Sequence, residues 1–350
     1  MSSVVSFCVV SLFGALGGDD VVAANASVAA GLVGSGPDEG AQDATPVPEL
    51  AENEQPLPAF ARLEPNVAFW MNIYRRYGSG HVVIHDRDHI DVVWRVLELP
   101  RAPTGEVDRA KTQKLVRQEL DALRARLARL EQDPTPQDDD DAVALALVGG
   151  KTERLVGAAQ RLRSQRGVAD HFTLAMSRAL QWKDEIQRVL AEEGVPVELV
   201  ALPFIESMFN PYARSAVGAA GIWQLMPSTA RWLGLKVSKE NDERLDVTKA
   251  TRAAARLLKK NYAMLGSWPL AITAYNHGHN GLKRAVAQVG SNSLVDLIDR
   301  HESSTWGFSS KNFYAGFLAA VRVYQATLDT IGTQVAETTP PAGAEATLLQ

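Results

Sequence analysis

The sequence predicts a mainly α protein with at most a small β element, on three observations. Apolar residues recur at helical spacing, most clearly at Val116, Leu120, Leu123, Leu127 and Leu130, whose separations alternate between four and three. The alanine-rich stretch from Thr248 to Leu265 closes on Gly266, as helices commonly do. The β-branched density of a strand is found at HVVIHD, from His81 to Asp86, and the next stretch, IDVVWRVLEL, reads as either helix or strand.

The composition fits a soluble globular chain: 350 residues, 46% hydrophobic and 22% charged. That length suggests about two domains once flexible ends are removed. The net charge is -5, from 36 basic and 41 acidic residues. With no basic excess and no nucleic-acid motif, nucleic acid is not an expected partner. Cys8 is the only cysteine, which excludes an internal disulfide, a cysteine metal cluster and a cysteine redox pair.

Taken in order, residues 1–26 read as an export signal. An apolar run from Val4 to Leu16 is followed by Ala24-Asn25-Ala26, a small-x-small cleavage pattern. The run lacks a preceding lysine or arginine, Asp19 and Asp20 are unusual near a cleavage site, and it is shorter than the roughly 20 residues that span a bilayer. Cys8 invites a lipoprotein reading, but Phe7 stands where a small residue is wanted. Residues 27–65, rich in Ala, Gly, Pro, Asp and Glu, read as a flexible linker.

Residues 66–195 are expected to form a helical N-terminal domain. His81, His85 and His89 would align three imidazoles on one helix, but the β-branched context argues for surface or packing roles, and no metal is expected. The Val116 to Leu130 seam holds barely two heptads and is expected to pack on its own domain. Asp133 to Asp141 reads as a solvated acidic loop, followed by helical stretches over about 142–163 and 169–193.

Residues 196–325 hold the segments that point to chemistry. A short helix from about Pro196 to Met208, kinked at Pro203, places Glu206 in its last turn among Phe204, Ile205, Met208 and Phe209. Apolar surroundings raise a carboxyl pKa from about 4.3, which suits a general acid working near neutrality. Capping of a neighbouring helix, or pairing with Arg214, is an equal alternative. Gly218 to Gly221 leave room for a ligand or another backbone. Trp223 and Gln224 offer either an apolar face and an amide for a ligand, or a tight core turn with a buried tryptophan. Pro227 suits a helix start. Thr248 or Asp246 caps the alanine-rich helix, and the next one, from Trp268-Pro269, ends on Tyr275-Asn276-His277-Gly278. That phenol and amide are equally open to a cap and core reading.

In order and at plausible spacing, Glu206-Ser207, Gly221-Ile222-Trp223-Gln224-Leu225-Met226-Pro227, Ala274-Tyr275-Asn276-His277-Gly278 and Tyr314 in KNFYAGFLAA resemble the catalytic domain of family 1 lytic transglycosylases. The subtype most resembled is the membrane-bound lytic transglycosylase D type. The resemblance runs from about Pro196 to Tyr324 and implies a lysozyme-like catalytic domain acting on peptidoglycan glycan strands, without metal or organic cofactor. It implies Glu206 as the single catalytic acid, then base, cleaving the bond between N-acetylmuramic acid and N-acetylglucosamine to leave a 1,6-anhydromuramyl end. Ser207 corresponds to a serine that touches substrate or orients the acid. Gln224 and Met226 correspond to cleft-lining residues, Tyr275 and Asn276 to the pair facing the acid, and Tyr314 to a late tyrosine, with adjoining Phe313 as the alternative for that role. His277 replaces a residue that is usually small, and Trp223 one that is often methionine. The subtype's wall-binding LysM repeats are not expected in residues 326–350, which read as a flexible tail. The implied location is the periplasm or cell envelope, with no transmembrane helix in the mature chain. A non-catalytic peptidoglycan-binding scaffold and a hydrolytic muramidase of the same fold are the competing readings.

Overall fold

Two hydrophobic clusters organise the chain in the computed structural model, which describes residues 57–338, with side chains to 331. The expected export signal, Cys8, the expected linker up to residue 56 and the expected tail from 339 lie outside the described residues. The mainly α expectation is met: eleven α-helices and a three-stranded sheet make up the described residues, beside short 3-10 turns. Among these residues no helix is long and apolar enough to cross a membrane.

Helix α1 (Glu64–Arg75) starts with a proline in its first turn and buries Val67, Phe69, Trp70, Ile73 and Tyr74. Strands β1 (His81–Asp86), β2 (Val93–Glu98) and β3 (Leu162–Arg166) form an antiparallel sheet in the order β2-β1-β3. In register, Val83 lies opposite Val96 on one side and Gln165 on the other. Alternation along β1 sends Val82 and Ile84 into one cluster and Val83 into the other, so both faces of the central strand are covered.

The second cluster lies between this sheet and helices α2 (Arg109–Gln132) and α3 (Asp139–Leu147). Val116, Leu123, Leu127 and Leu130 of α2 are its buried seam, so the 4-3 pattern packs on its own neighbours. The acidic run is more ordered than a solvated loop. Asp138 caps α3 by accepting from Asp141 N, Asp139 to Asp141 occupy the turn where negative charge is favoured, and fully buried Asp141 is gripped by Arg126 and Arg129.

The helix expected over 142–163 stops early. Gly149, Gly150 and Gly157 adopt positive φ, 3-10 turns follow at Thr152–Leu155 and Ala158–Gln160, and the chain then enters β3. The strand sequence LRSQR is polar, yet Arg163, Ser164 and Gln165 are buried, with the Arg163 guanidinium 4.1 Å from the centre of the Phe308 ring. The three histidines do not share a helix: His81 and His85 sit on β1, about 13 Å apart at strand rise. His85 is wholly buried, with its ring 4.6 Å from that of Phe69; burial pushes its pKa down to about 3. Among the described residues no group of three or more His, Cys, Asp or Glu is placed to hold a metal ion.

The first cluster runs through α1, α4 (Ala169–Glu192), α5 (Leu202–Ser207), α6 (Pro227–Trp232), α7 (Val247–Leu265), α8 (Trp268–His277), α9 (His279–Val289), α10 (Leu294–Arg300) and α11 (Phe308–Thr338). Its core is not divided at residue 195, because α1 and α4 are structural parts of the lobe that continues to Tyr324. Nor does the structured chain begin at 66 or end at 325. The 3-10 turn Ala61–Leu63 buries Leu63, and α11 continues from Ala326 to Thr338. The first described residues strap this helix: the Tyr314 hydroxyl donates to the Pro58 carbonyl at 3.0 Å, Asn66 to Asn312 at 2.9 Å, and Arg322 reaches both oxygens of Glu64 at 2.7 and 2.6 Å.

Candidate active site

The segment around Glu206 folds as two short helices. A 3-10 turn, Val197–Ala201, gives way to α5, and Pro203 stands in the first turn of α5, where its missing N–H costs no ladder bond. The proline therefore starts a helix instead of kinking one. Glu206 occupies the last turn, as expected, and the chain leaves through Met208 and Phe209 in left-handed conformations, φ 51° and 53°. The Met208 carbonyl is held by Arg178 at 3.0 Å.

Among the described residues, three that are not glycine have positive φ: Met208, Phe209 and Gln224. All three flank the same carboxyl or the turn facing it. Left-handed backbone costs on the order of 1–3 kcal/mol per non-glycine residue, and such strain clusters at functional sites.

Three segments meet there. From α5, buried Ser207 donates its hydroxyl proton to the Ile222 carbonyl at 2.8 Å. From α8, the Tyr275 hydroxyl donates to the Trp223 carbonyl at 2.6 Å. Between them, the turn from Gly221 to Leu225 is closed by Gln224, whose Nε2 donates to the Gly221 carbonyl at 2.8 Å and the Ala213 carbonyl at 3.3 Å. The Gln224 Oε1 is buried and accepts no hydrogen bond among the described residues. An amide oxygen left so is costly unless something else donates to it.

The Glu206 side chain keeps part of its surface open, while the protein packed round its carboxyl removes enough hydration to push its pKa up to about 8. Among the described residues no cation pairs with it. Arg214, the alternative partner, binds Asp242 at 3.0 Å instead. Burial first, and the nearby Glu206 charge second, raise the Tyr275 phenol well above its usual value, so it remains a hydrogen-bond donor. Asn276 is half-buried beside it, and half-buried Met226 precedes the α6 proline.

Other acids near the turn are already engaged. Asp242 is bound to Arg244 and Arg214, Glu243 to Lys249 at 2.7 Å, and Asp246 caps α7 by accepting from Lys249 N at 2.9 Å. Buried Arg244 also donates to the Gly218 and Leu225 carbonyls, at 2.7 and 3.0 Å, and so clamps both ends of the loop. The space left by Gly221 is taken by backbone: a Cβ there would lie 1.9 Å from the Arg244 carbonyl oxygen.

Three residues with a substrate-contacting reading are buried, and Ser207 keeps its other reading, orienting the acid. Ser207 is fully buried with its proton committed to Ile222, so it fastens the acid-bearing helix to the turn. Trp223 has no exposed face; its indole N–H donates to Thr251 Oγ1 at 2.8 Å inside the core. Tyr314 is 1% exposed and turned to Pro58, and adjoining Phe313 is equally buried. His277 is also buried, against Ser310 at 2.8 Å and edge-on to Trp306; burial lowers its pKa to about 4, leaving it neutral near neutrality. Its ring occupies the space beside Gly281, where a Cβ would come within 2.6 Å. The Arg244 clamp and the Thr251 and Ser310 anchors were not anticipated, since each meets its partner across a gap with no motif spacing.

Comparison with known proteins accords with this geometry. Residues 185–297 match the Transglycosylase SLT domain family, a span that includes Glu206, Gln224, Tyr275 and Asn276 and stops before Tyr314. Over 137 residues the chain is 34% identical to the membrane-bound lytic murein transglycosylase D of Escherichia coli, covering 39% of this chain and 30% of that protein. Over 106 residues it is 38% identical to the protein named Transglycosylase of Enterobacteria phage PRD1, covering 30% of this chain and 38% of the phage protein. The solved 70 kDa soluble lytic transglycosylase of Escherichia coli is 16% identical, with a TM-score of 0.38 over 61% of this chain and 44% of that one. The chain thus spans about a third of the length of the curated relatives it matches. Residues 185–297 are thus similar to the transglycosylase SLT domains.

Proposed function

We propose that the chain is a peptidoglycan lytic transglycosylase in which Glu206 acts first as acid and then as base. The observation carrying this reading is a lone, unpaired carboxyl with a raised pKa, beside three acids already bound to cations or a helix N-terminus. Ordinary glycosidases use two carboxyl groups, one as acid and one as base or nucleophile. A single protonated acid fits chemistry in which the substrate supplies the second group.

In that reaction the Glu206 proton passes to the oxygen linking N-acetylmuramic acid to N-acetylglucosamine, and the C1–O bond breaks. The muramyl acetamido group stabilises the electron-poor C1. Glu206, now a carboxylate, takes the proton of the muramyl C6 hydroxyl as O6 bonds to C1. The acid is regenerated and no water is consumed. A pKa near the working pH serves both halves of such a cycle. Gln224, Met226, Tyr275 and Asn276 are assigned to the cleft, with Ser207 and the Tyr275 hydroxyl holding acid and turn in register. Location in the periplasm or cell envelope follows from access to the polymer, and the domain similarity to a membrane-bound relative supports it.

Isolated peptidoglycan incubated with the chain and with Glu206→Gln tests the reading, with mass spectrometry of the soluble products. Anhydromuropeptides from the parent alone are expected. Reducing ends would assign a hydrolytic muramidase, and sacculi bound but left intact by both proteins would assign a scaffold.

A further inference from the structure

The catalytic lobe carries a second concave surface. Helix α6 begins beside the cleft at Met226 and ends at Trp232, about 9 Å further along at helical rise. Trp232 is 55% exposed, a large apolar face left open to solvent. With Leu233 and three cations of α7, Arg256, Lys259 and Lys260, it lines a cavity of about 270 Å³. The Lys260 ammonium lies 5.0 Å from the centre of the Trp232 ring.

This charge is concentrated against the trend of a chain with net charge -5. Arg256 pairs with Glu193, and the Lys259 ammonium donates to the Glu193 carbonyl at 2.9 Å, which anchors both at the cavity wall. Glu193 is thus one carboxylate against three cations, and Lys260 has only the indole for company among the described residues. An indole face flanked by ammonium groups suits a ligand that joins a ring or aliphatic surface to carboxylates.

We infer that the Trp232 cavity is a second binding site, outside the cleft, for an acidic stem peptide of the peptidoglycan on which the lobe acts. The inference rests on the proposed function, because peptidoglycan supplies carboxylate-bearing peptides along the polymer whose sugars enter the cleft. The site would hold the polymer by its peptides while Glu206 works on its glycan.

The test is co-sedimentation of the full-length Glu206→Gln protein with intact sacculi and with glycan strands stripped of their peptides by an amidase. Trp232→Ala with Lys260→Ala is added in the same background, and product release by the parent is measured alongside. Intact sacculi are expected to bind about tenfold more tightly than stripped glycan, which is about 1.4 kcal/mol. The Trp232/Lys260 variant should bind both alike, with an unchanged melting temperature. Equal binding of both polymers before substitution, or full retention of the preference after it, would overturn the site while anhydromuropeptide release leaves the catalytic reading standing. Loss of binding to vesicles of anionic phospholipid, with sacculus binding intact, would reassign the surface to lipid. No release of anhydro products would remove both.

Discussion

The Tyr275 hydroxyl donates a 2.6 Å hydrogen bond to the Trp223 carbonyl, joining the end of α8 to the turn that faces the acid. The opposite wall is joined to the adjacent residue of that turn, Ser207 to the Ile222 carbonyl. Two neighbouring carbonyls thus take one bond from each side of the site, fixing the separation of its walls.

Tyr275→Phe removes one of these ties and leaves the Trp223 carbonyl without its donor. Loss of about 1–3 kcal/mol of stability is expected, with kcat on isolated peptidoglycan falling by at least about tenfold as the turn drifts. Urea melts beside turbidity assays give both numbers. Full kcat would mean that the phenol does not set the cleft.

The protonation of Glu206 should be visible in stability. Its pKa is about 8 in the folded chain against an ordinary 4.5, so over that window the folded form keeps a proton which the unfolded chain has released. Stability contributed by the neutral acid is therefore complete below about pH 4.5, falls as pH rises toward 8, and is lost above it. Glu206→Gln stays neutral, so its melting temperature should match the parent near pH 4 and exceed it increasingly toward pH 8. A gap that stays constant would mean a carboxyl that remains hydrated. Parent activity should likewise fall above about pH 8, as the general acid loses its proton.

Gly221→Ala tests the close approach of backbone. The glycine has φ 78°, and a methyl would meet the Arg244 carbonyl oxygen at 1.9 Å. Left-handed strain and displacement of the clamp together should cost at least about 2 kcal/mol. Denaturant midpoints would measure it, and a change under about 0.5 kcal/mol would mean that the loop yields freely.

Tyr314→Phe separates strap from cleft. Removing a single hydrogen bond to Pro58 should cost about 1 kcal/mol. KM for peptidoglycan should not change, because the ring packs against Phe60 and Phe317. A several-fold rise in KM would put the phenol back in contact with the glycan.

Helical architecture and the placement of the acid were legible because they depend on local rules. Spacing gave the α2 seam, glycine and aspartate gave the ends of α7, and the apolar run around Glu206 pointed to its raised pKa. Strand β3 was illegible because LRSQR owes its burial to Phe308 and β1, which lie far off in sequence. The same reason left Ser207 and Trp223 open between two readings and hid the strap made by Tyr314: a motif names the residue, but only the fold decides whether a hydroxyl or an indole faces solvent or a carbonyl. Asp242 illustrates the converse. An acid available in the sequence as a second carboxyl is occupied by Arg244, two residues along the chain.

The strapping of α11 by the first described residues has a consequence for how the protein is made. Asn66 and Asn312 are 246 positions apart, and α1 buries five side chains in a core that includes Tyr314 and Phe317. A ribosome delivers the first of these helices long before the last, so α1 must wait with its apolar face uncovered while the sheet and α2, whose contacts are nearer in sequence, can already collapse. The lobe is therefore completed only when α11 is available, and a chain cut short before α11 would expose the α1 face and be marked for aggregation or proteolysis.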